Sequence, residues 1–197
     1  LSITHRSYAT EKRLMLKKLL SRSRFENETH ALYDVVVAHA RQPVLFHDFG
    51  VPDTLDGRFE MVVLHALLTM RRLRACGEEG QAQAQKLFDI MFADFDRALR
   101  EIGVGDLSVG RRIKKMAQAF YGRASALDHA LEGEDDDEPL RDTIVRNVFG
   151  TVEPDDGHVG RLTAYVRSQA RHLDSLRCED VLAGRVSFDD AEAAVAE

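Results

Sequence analysis

The sequence predicts an all-α protein, a single-domain multi-helix bundle of about six to seven helices with antiparallel neighbours. Three observations carry this. Apolar residues recur at spacings of three and four through several long segments. Short connections rich in Gly, Pro and Asp separate those segments, and few strand-like alternations occur between them. The chain has 197 residues, 44% of them hydrophobic, which is enough for a core of one domain with small appendages. The organisation read from this is a basic N-terminal tail and amphipathic helix over 1–27, a helical domain over 28–178 and a partly packed tail over 179–197.

The elements follow in chain order. Residues 1–9 carry no pattern. Over 10–22, Leu16, Leu19 and Leu20 alternate with Lys12, Arg13, Lys17 and Lys18 in helical spacing, a cationic amphipathic helix suited to an anionic membrane surface or a ribosome. A solvated helix face is the plainer reading of the same residues. A second helix spans 28–41 and Pro43 ends it, with an extended loop from Gly50 to Gly57 beyond it. Asp56 is the expected N-cap of the next helix. That helix, 57–76, is the core candidate: Phe59, Val62, Val63, Ala66, Leu67, Met70 and Leu73 form a stripe, while Met61, Leu64 and Leu68 add apolar surface elsewhere. Gly77 closes it.

Residues 78–102 repeat the theme through Phe88, Met91, Phe92, Phe95, Leu99 and Ile102. Gly103 and Gly105 permit a tight reversal, and Ser108 is the expected cap of a helix running to Leu131. The two long helices should be antiparallel. Val109, Ile113, Met116, Phe120 and Leu127 form one face of the latter. Arg111, Arg112, Lys114 and Lys115 occupy the opposite arc with no acid between Ser108 and Arg123. The run 132–138 reads as a solvated acidic loop. Further helices are expected over 139–149 and 156–176, and fraying is expected towards the C-terminus.

Charge is segregated. Residues 1–25 hold seven Lys or Arg against one Glu, within a chain of formal net charge −6. Such asymmetry bears on partners more than on fold. Four cations uninterrupted by acids favour an electrostatic contact to nucleic acid, anionic lipid or an acidic protein. Phe120 belongs to the buried stripe, and Tyr121 is the aromatic expected to be exposed.

Catalytic signatures are absent: there is no GxSxG, GxxxxGK[ST], strand-borne GxGxxG or CxxC. His47-Asp48 resembles the adjacent pair of metal-dependent phosphohydrolases, but no second His-rich helix completes a ligand set, so no metal is expected. His65, inside the most apolar helix, reads as a hydrogen-bonded core histidine. Cys76 and Cys178, far apart, argue against a disulfide-stapled scaffold and for a reducing compartment. No run of 18 apolar residues suggests a membrane span, and no secretory signal is visible.

The block from Phe88-x-x-Met91-Phe92-x-Asp94 through Arg100-Glu101-Ile102-Gly103-Val104-Gly105-Asp106-Leu107-Ser108-Val109-Gly110-Arg111-Arg112-Ile113-Lys114-Lys115-Met116 to Phe120-Tyr121-Gly122-Arg123 resembles the ubiquinol-cytochrome c chaperone family. Tyr165-Val166-Arg167-x-Gln169 and Gly184-Arg185-Val186-Ser187-Phe188 fit the same pattern. The resemblance implies a non-enzymatic, all-helical assembly factor for respiratory complex III, without a cofactor, that binds newly made cytochrome b. It implies as further partners a ribosome and a small helical protein, with peripheral contact to an anionic membrane surface. The setting implied is the cytoplasmic face of a bacterial inner membrane, or the mitochondrial matrix in a eukaryote. Arg111, Arg112, Lys114, Lys115, Tyr121 and Arg123 are the candidate partner-binding residues; Lys12, Arg13, Lys17 and Lys18 are the candidate membrane- or ribosome-contacting ones. An apolar groove between helices is expected to shelter the client segment. The alternative is a helical ribosome- or nucleic-acid-binding protein without a membrane client.

Overall fold

Ten consecutive residues, Met61 to Met70, are buried. No amphipathic surface helix does that, so this helix must run through the middle of the bundle. The computed structural model describes residues 23–133 and 136–191. Among these the secondary structure is entirely helical: α1 (23–40), α2 (Pro43–His47), α3 (Leu55–Arg74), α4 (Gly77–Glu101), α5 (Asp106–Glu132), α6 (Glu138–Asn147), α7 (Asp156–Ser175) and α8 (Cys178–Leu182). Lys12, Arg13, Lys17 and Lys18 lie outside the described residues, as do Glu134 and Asp135.

α3 is the axis of the fold. Its end turns directly into α4, and the two lie antiparallel: Phe59 near the start of α3 packs on Phe95 near the end of α4, with ring centroids 4.7 Å apart. At the hairpin's other end Gly80 is obligatory, because a Cβ there would sit 2.0 Å from the Leu73 carbonyl oxygen. α5 returns antiparallel to α4, which places Phe88 against Phe120 at 5.2 Å. α7 lies on another side of α3, joined to it by the Arg71–Asp174 ion pair at 2.7 Å.

The helix starts are not all where the sequence suggests. Asp56 does not cap α3. Thr54 does, its hydroxyl accepting from the Gly57 amide at 3.1 Å. Both are good capping types, but Pro52 O lies 2.0 Å from where a Gly57 Cβ would be, and this close approach fixes the chain so that Thr54 reaches the open amide. Ser108 is likewise inside α5, whose N-cap is Gly105. Pro43 ends α1 and at once begins α2, since a residue without an amide hydrogen suits a first helical position.

The larger correction concerns the cysteines. Cys76 and Cys178 are disulfide-bonded, with Cα atoms 5.5 Å apart across a sequence separation of 102. The bond ties the α3–α4 turn to the start of α8. The chain then crosses the bundle as a strap: Val181 and Ala191 are fully buried and Val186 nearly so. The left-handed Gly184 (φ +74°) lets it pass beside the Glu28 carbonyl of α1.

The acidic run is partly anchored. Arg167, on α7 and almost buried, donates from Nε to Asp137 at 2.6 Å, from Nη1 to the Gly133 carbonyl at 2.8 Å and from Nη2 to the Asp136 carbonyl at 3.2 Å. A buried guanidinium needs such partners, and here they fold the end of the loop into the start of α6.

Candidate functional site

α5 separates its two chemistries along its length as well as around it. From Asp106 to Ala119 only Val109 is fully buried, whereas Phe120, Leu127, Ala130 and Leu131 anchor the second half. Arg111, Arg112, Lys114 and Lys115 are exposed, and none forms an ion pair among the described residues. The first half of α5 therefore presents bare positive charge to solvent.

Two other predicted site residues are differently placed. Arg123 is turned inward. It holds Glu60 of α3 with two parallel bonds, Nε to Oε2 at 2.9 Å and Nη2 to Oε1. Burial pushes the Glu60 carboxyl above its ordinary range, against the guanidinium's opposing pull. Tyr121 is 59% exposed but rests one face on Phe88, centroids 5.6 Å apart with planes 30° from parallel. Thus Arg111, Arg112, Lys114 and Lys115 share a free face, while Arg123 is engaged in the helix packing.

The cavity between α3, α5 and α6, lined by Val63, Leu64, Leu127, Ile144 and Val148, has a volume of about 20 Å³. That is room for about one water. This cavity is no client groove, since the apolar stripes that sequence assigns to these helices are used up in packing against one another. A cleft of about 260 Å³ lies at the surface beside Arg41, Pro43, Phe46, His47, Asp53 and Arg58. Arg58 there pairs with Asp53 at 2.6 Å and lies over the Phe46 ring. No group of three or more His, Cys, Asp or Glu able to hold a metal occurs among the described residues.

Beneath the strap lies a polar cluster of which sequence reasoning recognised only one member. The Tyr165 hydroxyl is 2.7 Å from His65 Nε2 and 2.8 Å from His39 Nε2. The proton positions follow by elimination. His65 Nδ1 faces the Met61 carbonyl at 2.7 Å and must donate to it, so in the neutral ring Nε2 accepts from Tyr165. The Tyr165 oxygen then accepts from His39 Nε2–H, and His39 Nδ1 accepts from the Gln42 amide at 3.2 Å. One unbroken chain therefore links α1, α3 and α7, with every ring nitrogen used once. Burial lowers His65 to about 3 and also lowers His39, although Asp190 and Asp189 oppose the latter shift. Desolvation raises Tyr165. All three members are neutral at pH 7.

The strap closes over this cluster. Phe188 stacks on His39 at 4.7 Å and meets His65 edge-on at 5.1 Å. Asp189 exchanges two backbone bonds with the Gln169 side chain at 2.9 and 3.0 Å. With its bonds internally satisfied and Phe188 overhead, the cluster holds helices together and offers no open chemistry.

The sequence model described as ubiquinol-cytochrome C chaperone matches residues 47–188. The crystal structure of the Cbp3 homolog from Brucella abortus superposes with a TM-score of 0.79 at 36% identity, covering 91% of this chain and 97% of that one. Ubiquinol-cytochrome c reductase complex assembly factor 1 of Drosophila melanogaster is 28% identical over 79% of this chain and 61% of its own length. The human protein of the same name is 28% identical over 70% and 46%. Protein CBP3, mitochondrial, of Saccharomyces cerevisiae is 27% identical over 73% and 43%. The chain thus spans about half the length of the curated relatives it matches.

Proposed function

Because this chain belongs to the ubiquinol-cytochrome c chaperone family, we propose that it is a complex III assembly factor that holds newly made cytochrome b until the enzyme is built. The match across 47–188, together with a relative of the same fold at 36% identity, carries the reading. Its relatives' names speak of assembly, and a densely packed bundle with an exposed basic face suits holding a partner.

In this reading the protein is a rigid body with one sticky face. α3 and the His39–Tyr165–His65 chain fix the bundle, the strap locks it, and the first half of α5 is left to make contacts. Arg111, Arg112, Lys114 and Lys115 supply the docking charge. No helix among the described residues is long and apolar enough to cross a membrane; in this reading the described bundle meets its membrane-embedded client at the membrane surface. One relative is mitochondrial by name; in this reading the chain works at the cytoplasmic face of a bacterial inner membrane, or in the mitochondrial matrix of a eukaryote.

The test is deletion of the gene, followed by complex III level, the b-type haem spectrum and co-purification of cytochrome b with a tagged copy. Loss of complex III with recovery of cytochrome b on the tagged protein is expected. Normal complex III and normal b-haem spectra would sink the proposal.

A further inference from the structure

We propose that the α4–α5 hairpin tip docks on anionic lipid headgroups, with Leu107 and Ile102 entering the interfacial layer and the α5 cations lying over the phosphates. The inference takes from the proposed function only the presence of a membrane-embedded client; its evidence is the tip itself.

Leu107 is 92% exposed and Ile102 57%, one on each side of the reversal between α4 and α5. The outer side of the tip is open among the described residues: a Cβ added at Gly103, Gly105 or Gly110 would meet no atom within 4 Å. At 3.6 residues per turn, Leu107, Arg111, Lys114, Lys115 and Gln118 fall within an arc of about 100°, with Arg112 on its flank. The outward face thus begins with a bare aliphatic side chain and continues with cations. Two of the three acids nearby are paired. Asp106 is bonded by Arg100, which also holds Asp96 at 2.6 Å, while Glu101 feels the charge of Arg97 without an ion pair among the described residues.

This order of chemistry fits a lipid surface better than RNA. A phosphate backbone has use for the cations but none for Leu107 and Ile102, and single-stranded RNA is gripped by exposed aromatic faces. Tyr121, the exposed aromatic on α5, already has one face on Phe88. A headgroup layer uses both halves, apolar side chains below and basic ones at the phosphates.

The chain has no tryptophan, so Leu107→Trp gives a single indole at the tip. The full-length variant is mixed with vesicles of pure phosphatidylcholine and with vesicles containing about one part in four of phosphatidylglycerol, an anionic lipid. The expected result is a blue shift of the indole with anionic vesicles only. Replacing Lys114 and Lys115 by Gln should lower vesicle partitioning about 30-fold, at about fivefold for each cation removed. Thermal melting should be unchanged, because both residues are exposed.

Three results would overturn the inference. The protein could sediment with anionic vesicles while the indole stays in water, which would place the contact on another surface. Partitioning could survive the double replacement. The four cations could bind single-stranded RNA and no vesicle, which would make the face a nucleic-acid contact. The family reading fails separately: if the vesicle results hold but gene deletion leaves complex III intact, lipid docking stands and the assembly role falls. If vesicle binding fails while complex III still depends on the gene, the reverse applies.

Discussion

Acidification should loosen this protein through His65, and the size of the effect can be worked from its surroundings. The ring is fully buried, with its pKa lowered to about 3 mainly by desolvation, against about 6.5 in an unfolded chain. Between those values the unfolded state binds a proton that the native state refuses, so stability falls as pH falls. From pH 7 to pH 5 the unfolded imidazole goes from about one-quarter to nearly full protonation. The native ring stays neutral throughout, and the loss integrates to about 2 kcal/mol. It continues towards pH 3 and then levels off. His39, also lowered, adds in the same direction. Glu60 acts oppositely, because its raised carboxyl takes up a proton more readily in the native state. These other groups cancel when parent and His65→Gln are compared. Urea unfolding followed by far-UV circular dichroism at pH 7 and pH 5 should show the parent losing about 2 kcal/mol more than His65→Gln. An equal loss in the two proteins, within about 0.5 kcal/mol, would show that His65 is not buried as a neutral ring.

Tyr165→Phe removes the donor to His65 and the acceptor for His39 at once, and at about 1–3 kcal/mol for each buried group left unpaired it should lower the urea midpoint markedly at pH 7. Gly50 has φ +66° and a Cβ there would lie 2.5 Å from the His158 ring, so Gly50→Ala should be destabilising; pairing it with His158→Ala should recover the steric part and leave about 1 kcal/mol of backbone cost. Arg123→Ala leaves Glu60 buried without a partner and should cost about 3–5 kcal/mol, whereas Glu60→Leu combined with Arg123→Leu should recover most of it in thermal melts. Thiol titration of the unfolded protein should find no free thiol before reduction and two after it, and reduction should cost about 2–4 kcal/mol in urea unfolding.

The parts of the fold legible in the sequence were those fixed by local periodicity. The stripe over 57–76 marks a central helix because its apolar residues run around most of the helix, and Met61 to Met70 are all buried. The α4–α5 reversal is legible because Gly103 takes φ +86° there. What escaped depends on residues meeting across the bundle. Thr54 and Asp56 are both plausible caps, and only the approach of Pro52 to Gly57 decides between them. Cys76 and Cys178 meet because α3 and α7 both end on the same side of the bundle. The ends of two helices about a hundred residues apart leave no trace in local spacing.

The same distinction governs the functional surface. Arg111, Arg112, Lys114, Lys115 and Arg123 look alike in sequence, as basic residues of one motif, yet Arg123 lies opposite Glu60 and is spent on packing. A basic residue on a helix says nothing of its partner until the neighbouring helix is in place. His65 shows the converse. Its apolar context correctly marks it as a core histidine, but the identity of its partner, Tyr165, lies 100 residues away. A family motif therefore mixes two kinds of residue, those that build the bundle and those that the bundle displays. Here packing separates them along α5: Val109, Phe120, Leu127, Ala130 and Leu131 are buried, while Leu107, Arg111, Arg112, Lys114 and Lys115 are displayed to solvent and left to meet something else.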